Sequence, residues 1–163
     1  MFPRLSNIFC LFICLIPVAA NALDRTQPIE LEADKVELDE QAGTSTYSGN
    51  VQLKQGNLLL QAEHVIVYLK NNDITRMLAR GNPARLNDQL EDDSLVEAAA
   101  TTMDYDVTKE EILMTGEGML NQNGNILNND RILYNLGTGT LSAGGIDSEQ
   151  RVKVILQPAN KTK

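Results

Sequence analysis

The feature that most constrains this chain is internal repetition. Thr46 to Tyr68, TYSGNVQLKQGNLLLQAEHVIVY, predicts three short strands with a Gly-Asn turn between the first two and an Ala-Glu-His step before the third. The plan recurs 67 residues later in Leu113 to Tyr134: Gly49 falls on Gly116, Gln55 on Gln122, Glu63 on Asp130, His64 on Arg131 and Val65 on Ile132. A looser copy lies between them, with Gly81 in the place of the first glycine and Ala100-Thr101-Thr102-Met103 in that of the step. Steps begin at Ala33, Ala62, Ala100 and Asn129, spaced by 29, 38 and 29 residues. Fixed self-similarity of this kind marks an architecture in which each unit buries its apolar face only against its neighbours. It predicts a repetitive all-β protein.

Along the chain, apolar residues alternate with polar ones at strand period. Ile29, Leu31, Val36 and Leu38 alternate with Glu30, Glu32, Glu37 and Asp39; Ser45, Tyr47, Gly49, Val51 and Leu53 share the next face. Gln55-Gly56-Asn57 and Asn123-Gly124 are hairpin turns, since glycine and asparagine tolerate positive φ. Inward parity slips by one at Ala62-Glu63, which predicts a bulge or corner. Pro83, in Gly81-Asn82-Pro83, predicts an edge strand or a strand start. Past Pro158 the chain is a polar tail. No segment carries a convincing helical period. The expected fold is all-β, with roughly fourteen to sixteen short antiparallel strands in a jelly-roll-like or flattened solenoid sandwich.

Of the 163 residues, 1–22 read as a cleavable signal peptide. Arg4 supplies the charged n-region, Ile8 to Val18 the apolar h-region, and Ala20-Asn21-Ala22 the cleavage signal. Residues 23–158 form one domain, and 159–163 the tail. Cys10 and Cys14, the two cysteines of the chain, both fall in the removed segment, so the mature protein has no thiol chemistry. Without Arg4 the mature chain carries 13 basic against 22 acidic residues, a net of −9. That charge offers no nucleic-acid footprint and disfavours adsorption to an anionic membrane.

Catalytic and metal sites are hard to find. The lone histidine, His64, occupies a repeat position held elsewhere by Lys35, Thr102 and Arg131, so it reads as an outward polar residue. Asp34, Glu63 and Asp130 recur at one repeat slot, which suggests hydrogen bonding to backbone amides at the step. Glu91-Asp92-Asp93 lacks the spacing of a cation loop and reads as a solvated turn. No nucleophile elbow or phosphate loop is present. No enzyme activity, cofactor or metal is expected.

What remains is the apolar face. Its expected members are Ile29, Leu31, Val36 and Leu38, then Val51 and Leu53, then Leu58, Leu60, Val65 and Val67. Met103 and Tyr105 follow, with Ile112, Met114 and Leu120, and finally Ile132, Tyr134 and Leu136. One reading is the filled core of a sandwich. The other is a groove lined by these side chains and holding acyl chains, since methionines and small residues adapt to shape.

From Gln27-Pro28-Ile29 to Val152-Lys153-Val154-Ile155-Leu156 the chain resembles the LptA/OstA-like family of periplasmic lipopolysaccharide-transport proteins. The likeness is carried by Ala33-Asp34, Tyr47-Ser48-Gly49-Asn50-Val51, Gln55-Gly56 and Ala62-Glu63-His64-Val65. Further on it is carried by Gly81-Asn82-Pro83-Ala84, Met103-Asp104-Tyr105, Leu113-Met114-Thr115-Gly116 and Asp130-Arg131-Ile132. Glu63-His64, where the family has an Asp-Lys step, and Ala99-Ala100-Thr101 depart from its pattern without touching the inner face. The resemblance implies a twisted β-jelly roll, V-shaped in section and open at both ends. It also implies that the groove takes the acyl chains of lipid A, and that copies stack head to tail between inner- and outer-membrane transport components. Exposing one fourteen-carbon chain to water would cost on the order of 10 kcal/mol, so such a lipid needs an apolar trough to cross an aqueous space. The terminal strands, Ile29 to Leu38 and Arg151 to Leu156, are the expected joints. The rival readings are a closed β-solenoid scaffold or adhesion module, and a polysaccharide-acting enzyme. Arg76, Arg80 and Arg85 either meet lipid phosphates or solvate an edge.

Overall fold

The computed structural model describes residues 27–90, 93–145 and 151–158, and every regular element among them is a strand. The expected signal segment with Cys10 and Cys14, Glu91, Asp92 and the polar tail lie outside these residues. In chain order the strands are β1 (Glu30–Glu32), β2 (Lys35–Asp39), β3 (Thr44–Gln55), β4 (Leu58–Lys70) and β5 (Asp73–Gln89). They continue with β6 (Leu95–Asp106), β7 (Glu111–Gln122), β8 (Asn125–Asn135), β9 (Leu141–Ala143) and β10 (Lys153–Ile155). One antiparallel sheet holds them all, in the order β1-β3-β4-β5-β6-β7-β8-β10, with β2 also on β3 and β9 also on β8. Neighbours in sequence are neighbours in space, as tight hairpins require. Asn71 and Asn72, and Asn123 and Gly124, have the paired positive φ of a two-residue hairpin turn.

Ten strands replace the fourteen to sixteen short ones expected. The reason lies in the repeated steps. Each was read as a break between strands, but each is an irregularity inside one long strand. Register shifts between residues 48 and 51 of β3, 61 and 64 of β4, 80 and 84 of β5, 99 and 102 of β6, and 115 and 118 of β7. A bulge adds a residue and twists the strand without ending the ladder. Because the shifts sit at one level in successive strands, they form a single line across the sheet. Pro83 lies on that line. Paired residues skip it on both sides, so β5 is central and continuous rather than the edge expected from its proline.

The 67-residue repeat has a physical basis at this line. Gly49 and Gly116 have φ of 79° and 78°, each followed by a second residue at positive φ, Asn50 and Glu117. Asp34 and Thr101, themselves 67 residues apart, lie over these two glycines. A Cβ on Gly49 would collide with the Asp34 carboxylate, and one on Gly116 would lie 2.8 Å from Thr101 Oγ1. Asp34 N–H donates to Gly49 O at 2.9 Å, while the Asp34 carboxylate accepts from the Asn50 side-chain amide at 2.8 Å. The carboxylate therefore braces a side chain, not the backbone amide expected. At the last step it is Asn129 Oδ1 that accepts a backbone N–H, from Arg131 at 3.1 Å.

Below the line of bulges, two rows of partners cross the sheet. One runs Val36, Tyr47, Val65, Ala79, Met103, Met114, Ile132, Ala143, and the other Leu38, Ser45, Val67, Met77, Tyr105, Ile112, Tyr134, Leu141. Above it a third runs Leu31, Leu53, Leu60, Leu86, Ala98, Leu120, Leu127, Val154. Side chains alternate between faces along every strand, so each row belongs to one face. The rows supply most of the hydrophobic core.

Gly49→Ala should cost about 1–3 kcal/mol, because it forces a Cβ into a positive-φ site already covered by Asp34. Urea unfolding monitored by circular dichroism measures this, and a change under 0.5 kcal/mol would show that the step does not brace the fold.

Candidate functional site

Folding the sheet along its bulge line turns the apolar rows of its two halves toward each other. Leu53, Leu58, Leu60 and Leu86 from one half, and Met77, Ala79, Met103, Tyr105 and Ile112 from the other, line a single cavity together with Gln55. Its volume is about 30 Å³. A buried water needs roughly 10–15 Å³ measured this way, so the space holds about two waters and no fatty acyl chain. The middle of the face is thus a packed core, and the long hollow expected from the sequence is not present in this conformation.

The expected lining residues do share this face. Val51, Leu53, Leu58, Leu60, Val65, Val67, Met103, Ile112, Met114, Leu120, Ile132, Tyr134 and Leu136 are buried, with Ile29, Leu31 and Tyr105 half-buried against them. Val36 and Leu38 differ. Their register opposite Tyr47 and Ser45 puts them on the inner face, yet they are 51% and 70% exposed because β2 has no strand beyond it. The opposite edge mirrors this, with Val152, Val154, Ile155 and Leu156 exposed on and around β10. The apolar face is therefore covered in the middle and open at each end.

The sequence reading missed the contribution of the two central strands. Met77, Ala79, Ala84 and Leu86 of β5, and Val96, Ala98 and Ala100 of β6, are all buried in the same core. Their alanines carry little hydrophobic signal, and the three-residue irregularity at Gly81 hides the parity of β5. The signal that could have found them is the sheet register itself, which sets Ala79 beside Val65 and Leu86 beside Leu60.

Charges occupy the other face. Arg76 donates from Nε and Nη2 to both carboxylate oxygens of Asp104, at 2.6 and 2.5 Å, and lies 5.1 Å from the centroid of the Tyr68 ring. The bond to Asp104 raises the Arg76 pKa still further above its ordinary value. Arg80 stands opposite His64 and Thr102, and Arg85 opposite Gln61 and Ala99. By strand parity these three arginines point away from the apolar face, and Arg76 is already engaged. His64 is exposed, with Nδ1 3.2 Å from Ser48 Oγ. Among the described residues no three carboxylate, histidine or cysteine side chains gather as metal ligands.

The family model described as LptA/(LptD N-terminal domain) LPS transport protein matches residues 30–140. The lipopolysaccharide export system protein LptH of Pseudomonas aeruginosa is 30% identical over 146 residues, which cover 85% of this chain and 83% of that protein. The lipopolysaccharide export system protein LptA of Escherichia coli K12 is 30% identical over 88% of this chain and 78% of its own length. The crystal structure of LptH, described as the LptA-homologous periplasmic component of the conserved lipopolysaccharide transport device of P. aeruginosa, superposes with a TM-score of 0.76. It does so at 27% identity over 83% of this chain and 99% of that one. The all-β jelly roll is thus common to both.

Removing a side chain that joins the two halves should open space and destabilise the fold together. Met103→Ala is expected to cost about 2–5 kcal/mol in urea unfolding. A loss under 1 kcal/mol would mean that the halves do not press on one another at this point.

Proposed function

The chain belongs to the LptA/LptD N-terminal domain family of lipopolysaccharide transport proteins, and from that premise we propose that it bridges inner and outer membrane by sheltering lipid A acyl chains along its apolar face. The observation that supports this most is the run of apolar rows from one free edge of the sheet to the other, with exposed aliphatic side chains at each end. At about 0.8 kcal/mol per buried methylene, a face of this extent can offset much of the cost of keeping acyl chains out of water.

Since the interior is filled, lipid enters by parting the two halves of the sheet about the line of bulges. The side chains that meet across the cavity suit such repacking. Met77 and Met103 are unbranched and adapt to irregular space, and Ala79 leaves room beside them. The cleavable signal read at residues 1–22 would deliver the chain to the periplasm. The free edges, β1 with β2 and β9 with β10, are docking surfaces for further copies and for the inner- and outer-membrane components, by strand addition. Contacts between unlike edges do not close, so they extend into filaments. The small cavity favours a second reading, a sealed scaffold that never opens.

Photo-reactive side chains separate the two. Placed at Val51, Leu60 or Met114 they should capture lipopolysaccharide in Gram-negative cells, while one at outward Gln52 should not. Capture at Gln52 alone would leave only the scaffold.

A further inference from the structure

The free edges carry enough geometry to fix how they meet. Strands β3 to β8 alternate in direction, and β1 and β10 run antiparallel to β3 and β8. A copy whose β10 lies against the β1 of the next therefore continues an antiparallel ladder, and β9 meets β2 in the same sense. Hydrogen-bonded and non-hydrogen-bonded pairs alternate along a row. In the row from Leu31 to Val154 the first pair, Leu31 with Leu53, and the seventh, Leu127 with Val154, are of one kind, so the two outer edges offer matching groups to each other. A slip by one residue would destroy that match and set inward residues against outward ones.

We propose that copies of this chain join in one register, Val154 opposite Leu31, selected by ion pairs of Lys153 with Glu32 and Arg151 with Asp34. The inference rests on the docking role given to these edges above and names the residues that orient it. With Val154 opposite Leu31, the adjoining outward residues Lys153 and Glu32 face each other. Two residues further on, past the strand ends, Arg151 faces Asp34. All four are exposed. In the same arrangement Ala143 falls opposite Val36 and Leu141 opposite Leu38, so the apolar rows of both halves run on from copy to copy. The alternative two-residue slip, Val154 opposite Ile29, breaks the lower rows and sets Ile155 against Pro28, which has no N–H to give.

Charge also decides which edges meet. The β1–β2 edge carries Glu30, Glu32, Asp34, Glu37 and Asp39, and its one cation, Lys35, is bonded to Glu37 at 2.8 Å. The β10 edge carries Arg151 and Lys153. Two β1–β2 edges repel, whereas unlike edges attract.

Disulfide trapping tests the register, because the two native cysteines both precede residue 23. Mixing the mature Glu32→Cys and Lys153→Cys proteins should give a disulfide-linked dimer much faster than mixing Glu30→Cys with Lys153→Cys. Equal or faster trapping of the 30/153 pair overturns the register. Glu32→Lys and Lys153→Glu should each weaken self-association about tenfold at low salt, and a mixture of the two should regain it. Undiminished association of the single variants, or no recovery in the mixture, overturns the ion pairs. Unchanged thermal unfolding of these surface variants confirms that both are folded. A wild-type chain that stays monomeric at every concentration overturns the joint, while lipopolysaccharide capture at Leu60 reads the carrier function separately.

Discussion

A sheet with one apolar face must either find a second layer or fold over on itself, and this chain does the second by placing an irregularity at the same level in strand after strand. The bulges let each long strand change direction while its backbone groups stay paired on both sides. Gly49 and Gly116 make the change possible at positive φ, and Asp34 and Thr101 cover them. Everything apolar follows from this line. Val65 and Leu60, on either side of it in β4, end up in one core because the strand bends between them.

The same fold line reconciles a filled interior with a carrier. The two halves are joined by continuous strands along one side only, and across the cavity they touch through side chains, among them Met77 and Met103 facing Leu53 and Leu86. Side-chain packing of that sort can be exchanged for packing against acyl chains with little change in the area kept from water. The ladder hydrogen bonds need not break.

At the two ends the logic inverts. An exposed edge with aliphatic side chains is an aggregation hazard for most proteins. Here the edges differ in charge, with carboxylates along β1 and β2 and cations at Arg151 and Lys153. Unlike edges are complementary and like edges are not. Exposure of Val36, Leu38 and Val154 becomes an ordered joint instead of a promiscuous one.

Alternation and repetition in the sequence determined the class of fold, the inward face from Val51 to Tyr134 and the lack of any catalytic constellation, because side-chain period and repeat spacing are local properties. Only the tertiary structure decided whether a step ends a strand or bends it, since that depends on pairing with both neighbours. It also decided that the central alanines of β5 and β6 belong to the core, that Val36 and Leu38 stand uncovered, and that the cavity is about 30 Å³. Those are matters of how closely two distant halves approach, and closeness between residues far apart in the chain leaves no trace in a local period.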